Sequence, residues 1–133
     1  MKISKIKSIE ILDSRARPTL CTTVYLDDGS TGQAMVPSGA STGQLEAYEL
    51  RDKNDQRYGG LGVQNAVKNS EEALKILKGV SSEDQLIIDN KLIELDATEN
   101  KSKLGANAIL SVSLACARAV SYTHLRAHET KAN

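Results

Sequence analysis

A short run of small residues, PSGASTG at positions 37–43, is the part of this chain best suited to chemistry. Its glycines let the backbone approach a ligand closely. Its three hydroxyls and its backbone N–H groups can bind an oxyanion or, through oxygen, a hard cation. It is not a nucleotide-binding P-loop, because that motif needs Gly-Lys-Ser/Thr, and Gln44 and Leu45 follow here. Composition alone favours a flexible connector. Both interpretations stay open.

The loop follows three predicted strands. Residues 3–12 and 20–27 are rich in Ile, Leu, Val, Thr and Tyr, and the second segment alternates with a period of two, which is typical of a strand. The pair Asp28-Gly29 suits a tight hairpin turn, and residues 31–36 can return as a third strand. Apolar periodicity then disappears for about 25 residues, a loop length that is more often functional than idle in a small domain.

Three helices are predicted after the loop. The first is a single amphipathic helix that ends at Gly79, where a C-cap glycine belongs. The second begins with a capping box of Ser82 and Gln85 and ends near Asp96. The third, from about 105 to 120, has almost no polar face, so it must be covered on all sides. The fold class is therefore α+β, a three-stranded antiparallel meander followed by a helical bundle, with a further layer expected to cover the third helix.

Composition argues against several classes of function. The 133 residues can hold one domain, and 17 Lys+Arg balance 17 Asp+Glu, so we expect neither a nucleic-acid partner nor a membrane partner. Aromatic residues make up 3%, too few for base stacking. No apolar run reaches the ~20 residues of a membrane span or forms a signal peptide, so we expect a cytoplasmic protein. Cys21 and Cys116 fit neither a disulfide framework nor a metal site and are expected to be reduced.

The end of the chain differs in kind from the rest. The sequence VSYTHLRAHET at positions 120–130 resembles, codon for codon, one reading frame of the adapter used in transposase-based sequencing libraries. We therefore expect residues 1–120 to form the domain and residues 121–133 to be a non-native tail. His124 and His128 lie in this tail, so their i, i+4 spacing is not interpreted as a metal site.

Several blocks in series resemble the N-terminal domain of the enolase family. These blocks are ILDSR at 11–15, SGASTG at 38–43, EAYELRD at 46–52 and TENKSKLGANAIL at 98–110. The resemblance covers about residues 3–120 in the family's order and spacing. It implies a capping domain and a larger C-terminal barrel, absent from this chain, that would cover the third helix.

The resemblance implies a role in glycolysis. Enolase, or phosphopyruvate hydratase, is a lyase that reversibly dehydrates 2-phosphoglycerate to phosphoenolpyruvate. A lysine base removes a carbon-bound proton, a glutamate acid assists loss of hydroxide, and two Mg²⁺ ions stabilise the enediolate. The resemblance places the base, the acid and the carboxylate ligands of the first metal in the barrel. This chain alone, with no catalytic residue of its own, is therefore expected to be inactive, and its parent is expected to be a homo-oligomer, at least a dimer.

The resemblance assigns one metal ligand to this chain. Ser41 matches the family serine that ligates the second Mg²⁺ through its carbonyl and hydroxyl oxygens once the loop closes over substrate. Gly39, Ala40 and Thr42 match the mobile stretch that closes with it and would exclude water from the enediolate. The alternative is a small non-enzymatic domain that uses the glycine loop alone to bind an oxyanion or a partner.

Other polar residues of the matching blocks are expected to be structural. Arg15 and Glu46 are expected to hold the sheet and the loop, and Asn107 to cap or cross-brace the third helix, while Lys101 carries no functional assignment.

Four positions depart from the family pattern. Ala16 and Arg17 stand where the family usually shows Gly-Asn, and alanine would strain a positive-φ turn. Ala97 replaces a glycine. Cys21 stands where the family often carries a glutamate that pairs across the dimer interface, so that contact cannot be carried over.

Overall fold

The structure, a computed structural model, describes residues 1–36 and 47–132, with residues 122–132 described as backbone alone. Its three strands are β1 (Ile3–Leu12), β2 (Pro18–Leu26) and β3 (Thr31–Met35). They form one antiparallel sheet in the order β1-β2-β3, joined by two short turns. The predicted meander is confirmed, and its alternating pattern places one face of the sheet against the helices.

The described residues after the loop form helices that pack on this face. They are α1 (Gln64–Glu72), α2 (Leu74–Leu77), α3 (Gln85–Asp96) and α4 (Ala106–Ala132), preceded by a 3₁₀ turn at Tyr58–Gly60. The helices cover the sheet, so the α+β class predicted from the sequence is confirmed. The predicted ends of α3 at Asp96 and of α2 before Gly79, which has φ +83°, are also confirmed.

The prediction of a single first helix was wrong, because the helix divides at Ala73. This residue is buried, and its backbone N–H is shared between the carbonyls of Asn69 and Glu71. The next helix, α2, begins at Leu74, and its last residue, Leu77, is fully buried in the core. Ala73 and Leu77 are both buried, and the spacing of apolar residues along the sequence does not predict a division between them.

The predicted capping box was also wrong. The Ser82 hydroxyl donates to the Met1 carbonyl, and the Gln85 amide turns towards α4, where it donates to Ser113. Asp84 caps α3 instead, with its carboxylate accepting from the Ile87 N–H. The side chains of Ser82 and Gln85 therefore both form tertiary hydrogen bonds, and Asp84 is the residue that caps the helix.

The core has two parts. The larger lies between the inner face of the sheet and the helices, and its fully buried side chains include Ile3, Val24, Leu77, Ile88 and Val112. The smaller lies where β3 ends, and it consists of Leu20, Val36, Val63, Ala66 and Ala108. This second cluster anchors the point at which the chain enters residues 37–46.

Apolar side chains remain exposed on two outer surfaces. Leu110 on α4 is 42% exposed and Leu86 on α3 is 71% exposed, while Ile9 and Met35 lie exposed on opposite edge strands of the sheet. Cys21 and Cys116 are both buried and are not paired with each other, and burial together with the nearby Asp89 carboxylate raises the pKa of Cys116 to about 12. Within the described residues, no helix combines the length and apolar character needed to cross a bilayer.

The positive φ expected at Ala16 is present in the backbone, and Ala97, where no strain was expected, has one as well. Ala16 has φ +59° in the turn between β1 and β2, and Ala97 has φ +58° where it closes α3. The left-handed region costs a residue with a Cβ about 1–2 kcal/mol, and part of that is offset by the greater unfolded-state freedom of glycine. We therefore expect Ala97→Gly to raise the free energy of unfolding by about 0.5–1 kcal/mol, measured by urea denaturation.

A matched control separates backbone strain from helix propensity. Ala117 lies exposed in the body of α4, so Ala117→Gly should destabilise by about 1 kcal/mol. Equal losses from both substitutions would contradict a strained conformation at Ala97.

Candidate functional site

The candidate site is the segment at residues 37–46, called here the site loop. Gly39, Ala40, Ser41 and Thr42 all lie outside the described residues, and so does Glu46. The described residues on either side show how the two ends of the loop are held. The structure therefore describes how the predicted site is attached to the domain, through the residues up to 36 and from 47 onwards.

The entry to the loop is an extension of the sheet. The Val36 N–H donates to the Leu20 carbonyl at 3.2 Å, one residue beyond the end of β3. The Val36 carbonyl accepts from the Thr19 hydroxyl at 2.6 Å, and all three residues are buried. Both backbone groups of Val36 are therefore fixed to β2, so the loop departs from a rigid point.

The chain leaves the loop through residues 47–51, called here the loop return. This segment pairs with the residues around the start of α4. The Tyr48 N–H donates to the Asn100 carbonyl, and the Tyr48 carbonyl accepts from the Ala106 N–H, each at 2.7 Å. Two residues later, the Leu50 N–H donates to Asn107 Oδ1 and the Leu50 carbonyl accepts from Asn107 Nδ2, each at 3.1 Å. The expected cross-bracing role of Asn107 is confirmed, and its partner is the loop return.

A third tie joins the loop return to the start of β2. Arg51 donates to the Pro18 and Leu61 carbonyls, the latter at 2.7 Å, and pairs with Glu49 at 2.6 Å. Because its guanidinium bonds carbonyls on both sides, Arg51 holds the loop return against the sheet.

An ionic cluster fixes the segment that leads into α1. Arg57 Nη2 lies 2.6 Å from Glu10 Oε1, and the other Glu10 oxygen accepts from the Val63 N–H at 2.7 Å. Asp52, which lies 3.7 Å from Arg57, accepts the first two N–H groups of α1 and so caps the helix from a distant loop. Burial raises the pKa of Glu10, but the bonds from Arg57 and Val63 outweigh it and hold that pKa below its usual value.

Asp96 organises the turn that supports the loop return. Its carboxylate is fully buried and accepts from the Leu104 N–H at 2.6 Å and from the N–H and hydroxyl of Thr98. Lys101 has φ +65° in this turn and donates to the Glu99 carbonyl at 3.3 Å. The turn places the carbonyl of Asn100 and the start of α4 beside Tyr48, so a buried acid indirectly sets the position of the loop end.

Asp96 should make stability depend on pH. Burial raises its pKa, but the hydrogen bonds from Leu104 and Thr98 outweigh that and leave the pKa below its usual value. The stabilisation is therefore complete above pH of about 4 and is lost as the pH falls through the lower, folded-state pKa. We expect Asp96→Asn to cost about 1–3 kcal/mol at pH 7 and to flatten the fall of unfolding free energy below pH 4.

Urea denaturation at several pH values measures both effects. Asp55→Asn, at an exposed site in the same domain, is the control. It should change neither the free energy of unfolding at pH 7 nor the fall of that free energy below pH 4. An unchanged acid slope in the Asp96 variant would contradict the role given to its carboxylate.

The turn between β1 and β2 is shaped by Asp13. Its Oδ1 accepts from the N–H groups of Arg15 and Arg17 at 2.8 and 3.0 Å, and these bonds lower the pKa of Asp13. Arg15 lies exposed in this turn, and a role for its guanidinium in holding the site loop stays a prediction. In the described part of the chain, no three acidic, histidine or cysteine side chains come together as a metal site.

The chain is similar in sequence to known proteins over most of its length. The profile described as "Enolase, N-terminal domain" matches residues 3–126. Enolases from two Legionella pneumophila strains, Lens and Corby, are each 58% identical over 120 residues, which is 90% of this chain and 28% of the relative. Enolase from Methanopyrus kandleri is 58% identical over 119 residues, 89% of this chain and 28% of the relative. The chain thus spans little more than a quarter of the length of the curated relatives it matches.

Proposed function

Because this chain belongs to the enolase family, we propose that it is the N-terminal part of a lyase that reversibly dehydrates 2-phosphoglycerate to phosphoenolpyruvate in glycolysis. The observation that carries this proposal is 58% identity over 120 residues, which is nine-tenths of the chain. In this proposal the chain supplies the site loop, and the base, the acid and the ligands of the first metal come from the barrel that the family resemblance implies. The chain alone is then inactive.

Ser41 is the proposed metal ligand. Its hydroxyl and carbonyl oxygens are the hard donors that Mg²⁺ prefers, so the donor chemistry of the loop fits the ion. When bound, Mg²⁺ supplies positive charge that stabilises an enediolate beside a carboxylate. Gly39, Ala40 and Thr42 would exclude water from the reacting carbon as the segment closes. The fixed ends of the loop, at Val36 and Tyr48, support this role because closure needs rigid anchors.

The wider setting is proposed on the same basis. We expect the parent enzyme to be cytoplasmic and at least a homodimer, with 2-phosphoglycerate and phosphoenolpyruvate as its ligands. Cys21 lies buried in β2, and burial raises the pKa of its thiol. It cannot supply the charged contact that the family often makes from this position, so the dimer would rely on other contacts.

A chimeric enzyme tests the proposal. Residues 3–120 of this chain would replace the matched segment of the Legionella pneumophila relative, and phosphoenolpyruvate formation from 2-phosphoglycerate and Mg²⁺ would be followed by absorbance. We expect turnover by the chimera and none by the 133-residue chain alone. An inactive chimera that is folded would overturn the proposal, and tight binding of a phosphorylated ligand by the chain alone would favour the non-enzymatic alternative.

The boundary at residue 120 is also a proposal. The match of residues 120–130 to one translated reading frame of an adapter supports a non-native tail at residues 121–133. The family match extends to residue 126 and α4 continues to Ala132, so both run into this tail. Genomic DNA beyond codon 120 decides the matter: a different continuation is expected, and the same residues through 133 would refute the boundary.

A further inference from the structure

We infer that Glu71 and Arg118 cover the two edges of the sheet and prevent a second copy of this chain from pairing with them. Glu71 lies in α1 and Arg118 lies in α4, so each side chain reaches an edge strand from the helical layer. This property of the domain is independent of the proposed lyase function.

Among the described residues, the sheet has two edge strands, β1 and β3, with β2 between them. Alternate residues of an edge strand turn their backbone N–H and C=O groups away from the sheet, where another strand can pair with them. β1 has ten residues, and four of them are isoleucine, which favours strands. Ile9 on this strand is 51% exposed. An uncovered edge of this length and composition would favour pairing with a second copy.

The outward groups of β1 are covered in two ways along the strand. At its start, the Ile3 N–H donates to the Val80 carbonyl at 3.0 Å, and the Ile3 carbonyl accepts from the Gly79 N–H at 2.9 Å. Further along, the Ser8 N–H donates to Glu71 Oε2 at 3.3 Å. Backbone therefore covers the start of this edge, and a carboxylate occupies a donor at its middle. An incoming strand must displace the carboxylate to bond the same N–H.

The edge at β3 is covered by a cation. The Val36 N–H donates to β2, so residues at the alternate positions, Gln33 among them, turn their backbone groups away from β2. Arg118 Nη1 donates to the Gln33 carbonyl at 3.0 Å, across 85 positions of sequence. Both Glu71 and Arg118 are exposed, and burial of either charge beneath a pairing strand would cost free energy.

The number of open edges determines the kind of assembly that a second copy can form. With one edge open, like edges pair about a two-fold axis, and the assembly closes as a dimer. With both edges open, each copy has two pairing surfaces, so growth does not close. Removal of one covering side chain and removal of both should therefore give different assemblies.

Analytical ultracentrifugation of the 133-residue chain over a range of concentrations tests this inference. We expect Glu71→Ala to lower the dimer dissociation constant by about tenfold or more relative to the unsubstituted chain, because each copy then pairs without giving up an existing hydrogen bond. Glu71→Gln keeps an acceptor for the Ser8 N–H and should associate less than Glu71→Ala. The double variant with Glu71→Ala and Arg118→Ala should form species larger than a dimer.

Two control variants separate the edge contact from charge and from stability. Glu72→Ala removes the same charge from the next position of α1, which is also exposed. Asn69→Ala removes an amide that donates to the Leu104 and Lys103 carbonyls at 3.1 and 3.4 Å, and so it loosens α1 at a site away from the edge strands. Neither control should associate more than the unsubstituted chain.

Three results would contradict the inference. The first is a folded Glu71→Ala chain that associates no more than Glu72→Ala. The second is equal association of Asn69→Ala, since loss of stability alone would then explain the effect. The third is a double variant that stops at the dimer, which would remove the role of Arg118. If far-ultraviolet circular dichroism shows that Glu71→Ala does not fold, Arg118→Ala alone decides: tighter dimerisation supports the inference, and an unchanged dissociation constant overturns it.

Discussion

Ser41→Ala in the chimeric enzyme is expected to lower kcat/KM at limiting Mg²⁺ by about a hundredfold or more. The substitution removes the hydroxyl that we propose as a ligand and leaves the backbone carbonyl, so the second Mg²⁺ would bind more weakly. Raising the Mg²⁺ concentration should then recover part of the lost rate, because the carbonyl oxygen still offers one donor. Initial rates measured across a Mg²⁺ titration report both effects.

Ser38→Ala is the matched control for this experiment. Ser38 carries the same hydroxyl in the same glycine-rich run, three positions before Ser41, but it has no proposed ligand role. We expect its Mg²⁺ dependence to match that of the unsubstituted chimera. Equal impairment of both variants would indicate a general disturbance of the loop, and undiminished activity of Ser41→Ala at low Mg²⁺ would identify the run as a connector.

The sheet was predictable from the sequence because its pattern reports directly on burial. Leu20, Val24 and Leu26 alternate with less buried positions, and a period of two has few other structural explanations. The helix boundaries were less predictable because they depend on what each polar group contacts. Ser82 has the right type and spacing for a cap, yet its hydroxyl is taken by the Met1 carbonyl, 81 positions away.

The contacts that hold the ends of the site loop could not be predicted either, because they too depend on which groups meet in three dimensions. Asn107 could be assigned to bracing, but no local pattern identifies Leu50 as its partner across 57 positions. A chain of buried hydroxyls that joins both layers of the fold was missed entirely. It runs Ser70, Ser8, Thr22 and Ser111, with successive oxygens 2.6, 2.7 and 2.8 Å apart. Serine and threonine are common at exposed positions, so only the three-dimensional contacts reveal this network.

The tight contact between sheet and helix at Gly32 predicts the largest loss of stability. A Cβ at this position of β3 would lie 2.7 Å from the Ala119 Cα, and it would lie closer still to the backbone oxygen of Ala115 and the backbone nitrogen of Ala119. These are backbone atoms of α4, so no side chain can rotate away. The clash can be removed only if the whole helix moves away from the sheet. Such a movement would expose helix residues that are now fully buried, namely Val112, Ala115, Cys116 and Ala119.

Gly32→Ala is therefore expected to lower the free energy of unfolding by at least about 3 kcal/mol, a large share of the stability of a small domain. Urea denaturation followed by far-ultraviolet circular dichroism measures the loss. Gly29→Ala is the control, since Gly29 has φ +89° and no atom within 4 Å of an added Cβ, so it should cost only about 1–2 kcal/mol of backbone strain. A Gly32 variant no less stable than the Gly29 variant would mean that α4 yields to an added methyl group. The start of α4 carries Asn107, so such yielding would also deprive the loop return of the fixed support on which its position depends.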